Sequence, residues 1–68
     1  MRLAEIFGRN VRKARLAKGW SQEQLAFESN LQRSYISEIE TGKRNPTLDV
    51  VETIARVLEV RVIELLAE

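Results

Sequence analysis

The sequence predicts an all-α fold, a compact five-helix bundle, and three observations support this prediction. Apolar residues recur at steps of three and four along the chain, which is the period of an α-helix. Start and stop signals divide the chain into five short segments. The length of 68 residues leaves room for only one domain, in which folding hides roughly 60% of the surface of the unfolded chain.

The composition argues against several kinds of site. The chain contains neither cysteine nor histidine, so it has no disulfide and lacks the usual ligands of zinc and haem. We therefore expect no cofactor and no metal. It has no apolar run of about 18 residues for a membrane span, and its N-terminus lacks the apolar core of a signal peptide. We expect a soluble cytoplasmic protein that contacts no membrane, with residues 1–68 as a single domain.

The charge is distributed unevenly along the chain. Residues 1–46 contain nine Lys or Arg and five Glu, whereas residues 47–68 contain two Arg and five acidic residues. A basic half is a weak indication of a nucleic-acid-binding face, because a solvated surface explains most such imbalances.

The first two helices have clear ends. The first is predicted from Leu3 to Lys18, and Gly19 ends it. The second begins at Gln22, because Ser21 and Gln24 have the spacing of a capping box. It is short, since asparagine tolerates the left-handed conformation that ends a helix and follows at position 30.

The third helix is predicted at about Arg33 to Thr41, within three residues of that stop. Two helices joined by so few residues must cross steeply, which predicts a helix-turn-helix unit at about residues 21–41. A hydrophobic staple supports the start of the third helix, because Leu31 and Ile36 have the required spacing.

The third helix divides into two faces. Its inner face carries Ile36, Ile39 and Glu40. Its outer face is small and hydroxylic instead of rich in Lys and Gln, which leaves room for the close approach of another surface. We interpret this outer face as a DNA-reading surface. Its residues are Ser34, Ser37, Glu38 and Thr41, with Arg33 and Tyr35 flanking the start.

A carboxylate on the inner face needs a partner, because an unpaired buried charge is costly. Arg15 lies at the edge of the inner face of the first helix, and its guanidinium suits a carboxylate. We therefore predict a structural ion pair between Arg15 and Glu40 that locks the first helix against the third.

A basic loop and a core helix follow. Gly42 ends the third helix, and in the loop before Pro46 we expect Lys43 and Arg44 to meet DNA phosphates. Thr47 caps the fourth helix. The buried stripe of that helix is predicted to contain Leu48, Val51, Ile54, Ala55 and Leu58.

The last helix, at about residues 62–67, is almost entirely apolar. A short helix in a bundle buries only one side, so some of its apolar residues remain exposed on the monomer. This favours a dimer interface, and the alternative is that they seal the core. The four residues are Val62, Ile63, Leu65 and Leu66.

The run from Lys18 to Val60, KGWSQEQLAFESNLQRSYISEIETGKRNPTLDVVETIARVLEV, resembles the Cro/C1-type (XRE-family) helix-turn-helix domain of bacterial and phage repressors. Among that family it is most similar to the small controller proteins of restriction–modification systems. The resemblance implies a transcription regulator and not an enzyme. The resemblance extends over essentially the whole chain, and it implies that Arg15 and Glu40 correspond to the buried ion pair of the family.

The resemblance also implies roles for the surface residues. It implies that Gln22 holds a phosphate or a neighbouring reading side chain, and that Tyr35 flanks the DNA backbone or a thymine methyl group. Gln32 either caps the third helix or reaches DNA. Base edges are assigned to Arg33, Ser34, Ser37 and Glu38, and phosphates to Thr41, Lys43, Arg44 and Asn45. The chain departs from the family at Glu59, where glycine is usual, so the turn there is either left-handed or differently shaped.

These observations predict a homodimer that places its two third helices in successive major grooves of a symmetric operator in double-stranded DNA. The operator position would decide between repression, by occlusion of RNA polymerase, and activation, by contact with it. We expect no small-molecule ligand. The alternative is a protein-interaction module of the same fold, antitoxin-like or adaptor, that binds a protein through its last helix.

Overall fold

The computed structural model describes residues 2–68, so residue 1, where the predicted domain begins, lies outside the described part. Residues 2–68 contain five helices and no strand, which confirms the predicted all-α bundle. Where a helix bound was predicted, the observed bound differs from it by no more than one residue. The helices are α1 (Arg2–Ala17), α2 (Gln22–Ser29), α3 (Arg33–Glu40), α4 (Leu48–Leu58) and α5 (Val62–Leu66).

The short connection between α2 and α3 is built by local capping. The hydroxyl of Ser21 accepts a hydrogen bond from the Gln24 backbone N–H at 3.0 Å. The Gln24 side chain donates to Glu28 at 2.8 Å and does not return to Ser21, so only half of the predicted capping box forms. Asn30 has a φ of 57° and ends α2 in the left-handed conformation, as predicted.

Glu59 ends α4 in the same left-handed conformation, with a φ of 60°. Of the two expected shapes, the turn therefore adopts the left-handed one. This conformation is strained because position 59 carries glutamate instead of glycine. The ammonium of Lys18 donates to the Glu59 carboxylate at 2.9 Å. That hydrogen bond, with the charge of Lys18, holds the pKa of Glu59 below its usual value. The pair therefore contributes to the stability of the fold at pH values above the ordinary pKa of a glutamate. This contribution is lost as the pH falls through the lowered pKa of Glu59.

Every helix contributes side chains to one core. Leu48 is the exception to the predicted stripe of α4, because it is 86% exposed. It is the first residue of its helix, and helical side chains lean toward the N-terminus, so it extends past the end of the core. None of the helices in residues 2–68 is long and apolar enough to cross a membrane. The core residues are Phe7, Val11, Leu25, Ala26, Ile36, Ile39, Val51, Ile54, Ala55, Leu58 and Leu65.

The backbones of α1 and α3 come into direct contact at Gly8. A Cβ atom added to this residue would lie 2.0 Å from the carbonyl oxygen of Ile39. The two helices therefore meet with no side chain between them. This contact was not predicted from the sequence, and it fixes how far α3 stands from α1.

One side chain of α1 forms hydrogen bonds to the end of the last helix. The amide nitrogen of Asn10 donates to the carbonyl oxygens of Leu65 at 3.0 Å and Ala67 at 2.7 Å, which supplies partners at the end of α5. At the other end, Glu64 accepts a hydrogen bond from the Arg61 N–H at 3.0 Å. The end of α5 is therefore tied to α1 by hydrogen bonds, while Leu65 packs into the common core.

Candidate DNA-binding surface

The two faces of α3 are divided as the sequence predicts. Ile36 and Ile39 are fully buried in the core. On the opposite side Arg33, Ser34 and Thr41 are exposed, and Ser37 and Glu38 are half-buried at the edge. The residues predicted to read bases thus share one solvent-facing surface of a helix whose other side is held by the core.

A buried ion pair connects α1 to the end of α3. The Nε atom of Arg15 donates to Oε2 of Glu40 at 2.7 Å, and its Nη2 atom donates to Oε1 at 3.0 Å. The two side chains are only 8% and 2% exposed. Hydrogen bonding to Glu40 raises the pKa of Arg15 and outweighs the opposing effect of burial. The predicted pair is therefore present in the two-pronged geometry that a carboxylate favours.

Two further groups complete this network. The Nη1 atom of Arg15 donates to the carbonyl oxygen of Trp20 at 2.7 Å. The amide nitrogen of Gln22 donates to Oε1 of Glu40 at 3.1 Å. Within residues 2–68, no buried side-chain nitrogen or oxygen lacks a hydrogen-bond partner. The first residue of α2 is thus tied to the last residue of α3, which fixes the angle between the two helices.

The loop after α3 folds back onto the outer face of that helix. Two nitrogens of Arg44 donate to Oε1 of Glu38, Nε at 3.0 Å and Nη2 at 2.7 Å. The guanidinium carbon of Arg44 also lies 4.7 Å from the centre of the Tyr35 ring. Arg44, which we expected to face a phosphate, is therefore engaged by two residues of α3.

The remaining predicted backbone contacts lie around the ends of α3. Thr41 is exposed, but its hydroxyl donates to the carbonyl oxygens of Ser37 and Glu38, as is common at helix ends. Lys43 and Asn45 are exposed in the loop. Gln32 occupies the N-cap position of α3 but is exposed and forms no side-chain hydrogen bond to the helix, and its DNA contact stays a prediction.

The predicted dimer residues of α5 do not all face solvent. Ile63 is 63% exposed, Val62 37% and Leu66 36%. Leu65 is only 2% exposed and belongs to the core, so its assignment to a dimer interface is wrong. A helix of five residues has room to bury one side chain deeply, and Leu65 is the one turned toward α1 and α4.

An apolar groove beside α5 was not predicted. Leu3 at the start of α1 and Leu48 at the start of α4 line it together with Val62 and Leu66. Sequence periodicity assigns Leu48 to the buried stripe of its helix, and no local signal distinguishes a helix-end residue that overhangs the core. Four exposed apolar side chains therefore meet in one place.

The described range contains no cluster of three or more Asp or Glu side chains that could hold a metal ion.

Comparison with known proteins gives consistent results. A sequence model of the helix-turn-helix family matches residues 11–65. The chain is 52% identical over 62 residues to the control protein C.BamHI of Bacillus amyloliquefaciens, covering 90% of this chain and 76% of that protein. It is 42% identical over 66 residues to the control protein C.SmaI of Serratia marcescens, covering 97% and 79%. Its fold is similar to the crystal structure of the restriction-modification controller protein C.AhdI from Aeromonas hydrophila, with a TM-score of 0.90 and 42% identity over 96% and 98% of the two chains.

Proposed function

Since the chain belongs to the XRE-type helix-turn-helix family of transcription regulators, whose members are not enzymes, we propose that it regulates transcription by binding a specific DNA sequence. Residues 1–68 act as its single DNA-binding domain, of the kind found in restriction–modification controller proteins. The observation that carries this proposal is the solvent-facing side of α3, whose opposite side is fixed by the core and by the Arg15–Glu40 pair.

The outer face of α3 enters the major groove. A groove about 12 Å wide admits a helix whose outward side chains are short, as Ser34 and Ser37 are. Arg33, Ser34, Ser37 and Glu38 approach base edges. The groups around the helix ends meet the backbone, and they are Gln22, Gln32, Tyr35, Thr41, Lys43 and Asn45.

The rigidity of α3 supports this role. Gly8 sets the distance of α3 from α1, and Glu40 joins α3 to both Arg15 and Gln22. A reading helix that is already fixed before binding loses little conformational freedom when it docks. The DNA-reading surface is therefore preorganised in the free protein.

The chain acts as a homodimer through α5. Val62, Ile63 and Leu66 are exposed there, and the groove that Leu3 and Leu48 extend enlarges the same apolar surface. Exposed apolar clusters of this kind commonly mark interfaces. A two-fold dimer places two copies of α3 about 34 Å apart, which suits a symmetric operator. Repression follows if the operator overlaps the promoter, and activation follows if the dimer contacts RNA polymerase from an upstream site.

The replacement Arg33→Ala tests the reading face. We expect the variant to lose about 1–3 kcal/mol of discrimination per half-site between a selected operator and random duplex, because a two-pronged arginine–guanine contact is worth that much. The measurement is a mobility-shift titration at two salt concentrations, with the duplex selected from a random pool by the unaltered protein.

The matched control is Arg56→Ala, which removes the same charge from an exposed position on α4. It is expected to leave discrimination unchanged. Wild-type binding should weaken steeply as salt rises. Binding without preference for any duplex, together with capture of a protein partner through α5, would favour the protein-interaction module instead.

The replacement Ile63→Lys tests the dimer. Ile63 is largely exposed on the monomer, so the variant should fold normally, while a charge placed at an apolar interface should raise the dimer dissociation constant at least about tenfold. Sedimentation equilibrium measures the change. Phe27→Lys places the same charge on an exposed apolar residue of α2 and should leave association intact. Equal behaviour of the two variants would count against α5 as the interface.

A further inference from the structure

Glu38 and Arg44 form an ion pair on the proposed DNA-reading surface. Glu38 lies on α3 with its side chain 45% exposed, and Arg44 lies in the following loop with its side chain 51% exposed. Both donating nitrogens of Arg44 converge on one carboxylate oxygen, Oε1. No hydrogen bond within residues 2–68 reaches the other oxygen, Oε2, of Glu38. The carboxylate is thus held at one oxygen and open at the other.

Tyr35 holds the arginine from a second side. The guanidinium carbon of Arg44 lies 4.7 Å from the centre of the Tyr35 ring, a distance at which a cation is attracted to the ring face. Tyr35 precedes Glu38 by three residues, so both lie along one side of α3. The guanidinium is therefore fixed by a ring and a carboxylate of the same helix.

This arrangement changes what Glu38 can do near DNA. A lone carboxylate at the mouth of the groove would be repelled by phosphates, whereas one paired with a guanidinium carries little net charge. Its open oxygen accepts hydrogen bonds only, and the N4 amine of cytosine is the donor that carboxylates read in the major groove. A side chain that is already held also loses less entropy on binding.

We propose that Arg44 is a positioning residue that holds Glu38 for reading a cytosine amine, and that Arg44 does not serve as a phosphate contact. The proposal rests on the proposed function, because it concerns the same reading face. According to this proposal, Arg44 contributes to discrimination between DNA sequences. From its position in a basic loop alone, we expected it to contribute to sequence-independent affinity for phosphates.

The test uses the duplex that the wild-type protein selects from a random pool, together with all single-base-pair variants of that duplex. Competition binding is measured for wild type, Arg44→Ala, Arg44→Lys, Glu38→Ala and the double variant Glu38→Ala/Arg44→Ala, each at several salt concentrations. Both positions lie at the surface, so folding should be retained, and thermal melting of each variant checks this.

We expect Arg44→Ala and Glu38→Ala to lose discrimination at the same base pair of each half-site, by roughly 5- to 150-fold. The double variant should lose no more than either single variant, because the two residues act as one unit. Arg44→Lys should fail to restore discrimination, since an ammonium cannot make the forked, stacked contact. The salt dependence of Arg44→Ala should match that of wild type.

A different result identifies Arg44 as a phosphate-binding residue and overturns the inference. In that case Arg44→Ala weakens binding equally to every duplex and lowers the salt slope by about 0.9 for each phosphate that the arginine neutralises. The variant Arg44→Lys then restores both the affinity and the salt slope. The proposed function survives that outcome if Arg33→Ala still loses discrimination at a separate base pair. Failure of the wild-type protein to select any common sequence would instead remove the proposed function itself.

Discussion

Replacing Glu40 with alanine is expected to lower the free energy of unfolding by about 3–5 kcal/mol. The variant leaves the Arg15 guanidinium buried without its counter-charge, and it removes the acceptor of the Gln22 amide. A domain of this length has only about 3–10 kcal/mol of stability in total, so the replacement removes a large share of it. Urea denaturation followed by circular dichroism measures the loss.

Glu38→Ala is the matched control, because it removes a carboxylate from the same helix. Its ion pair with Arg44 is about half exposed, and such pairs contribute less than about 1 kcal/mol. The double variant Arg15→Met/Glu40→Leu removes both buried charges and should be more stable than Glu40→Ala alone. Equal losses for Glu40→Ala and Glu38→Ala would show that the buried pair does not lock α1 to α3.

Local signals explain how much of this molecule could be predicted from its sequence. Ser21, Thr47 and Asn30 act on backbone groups a few residues away, so the helix ends could be located without knowledge of the tertiary structure. The Arg15–Glu40 pair was also predictable. A carboxylate on an apolar helix face requires a cation, and the sequence contains few arginines at the edge of another such face.

The features that could not be predicted all depend on how the helices and the loop after α3 are arranged in the folded protein. Periodicity places Leu48 and Leu65 on apolar stripes, but only the assembled bundle shows that one overhangs the core and the other enters it. The engagement of Arg44 by Glu38 depends on the path of a loop. The stacking on Tyr35 follows from that path as well. Residue roles at the DNA therefore depend on tertiary geometry that no short motif encodes.

Replacing Gly8 with alanine is expected to destabilise the protein by about 3 kcal/mol, the upper end of the usual cost of overpacking, although alanine is favoured over glycine in a helix by about 1 kcal/mol. The added Cβ would lie 2.0 Å from the Ile39 carbonyl oxygen and 3.2 Å from the backbone carbon of Glu40. These are backbone atoms, so the clash cannot be relieved by a side-chain rotation. Relief requires α3 to move away from α1, which also opens the core around Ile36 and Ile39.

Gly19→Ala separates this steric effect from a general intolerance of glycine replacement. Gly19 has a φ of +73° and no neighbouring heavy atom within 4 Å of an added Cβ, so only backbone strain of about 1–2 kcal/mol is expected there. Chemical denaturation of both variants gives the comparison. If Gly8→Ala proved as stable as wild type, as helix propensity alone would suggest, α1 and α3 would not be in backbone contact. The Arg15–Glu40 pair and the apolar face of α3 would then position the reading helix without any requirement for glycine at position 8.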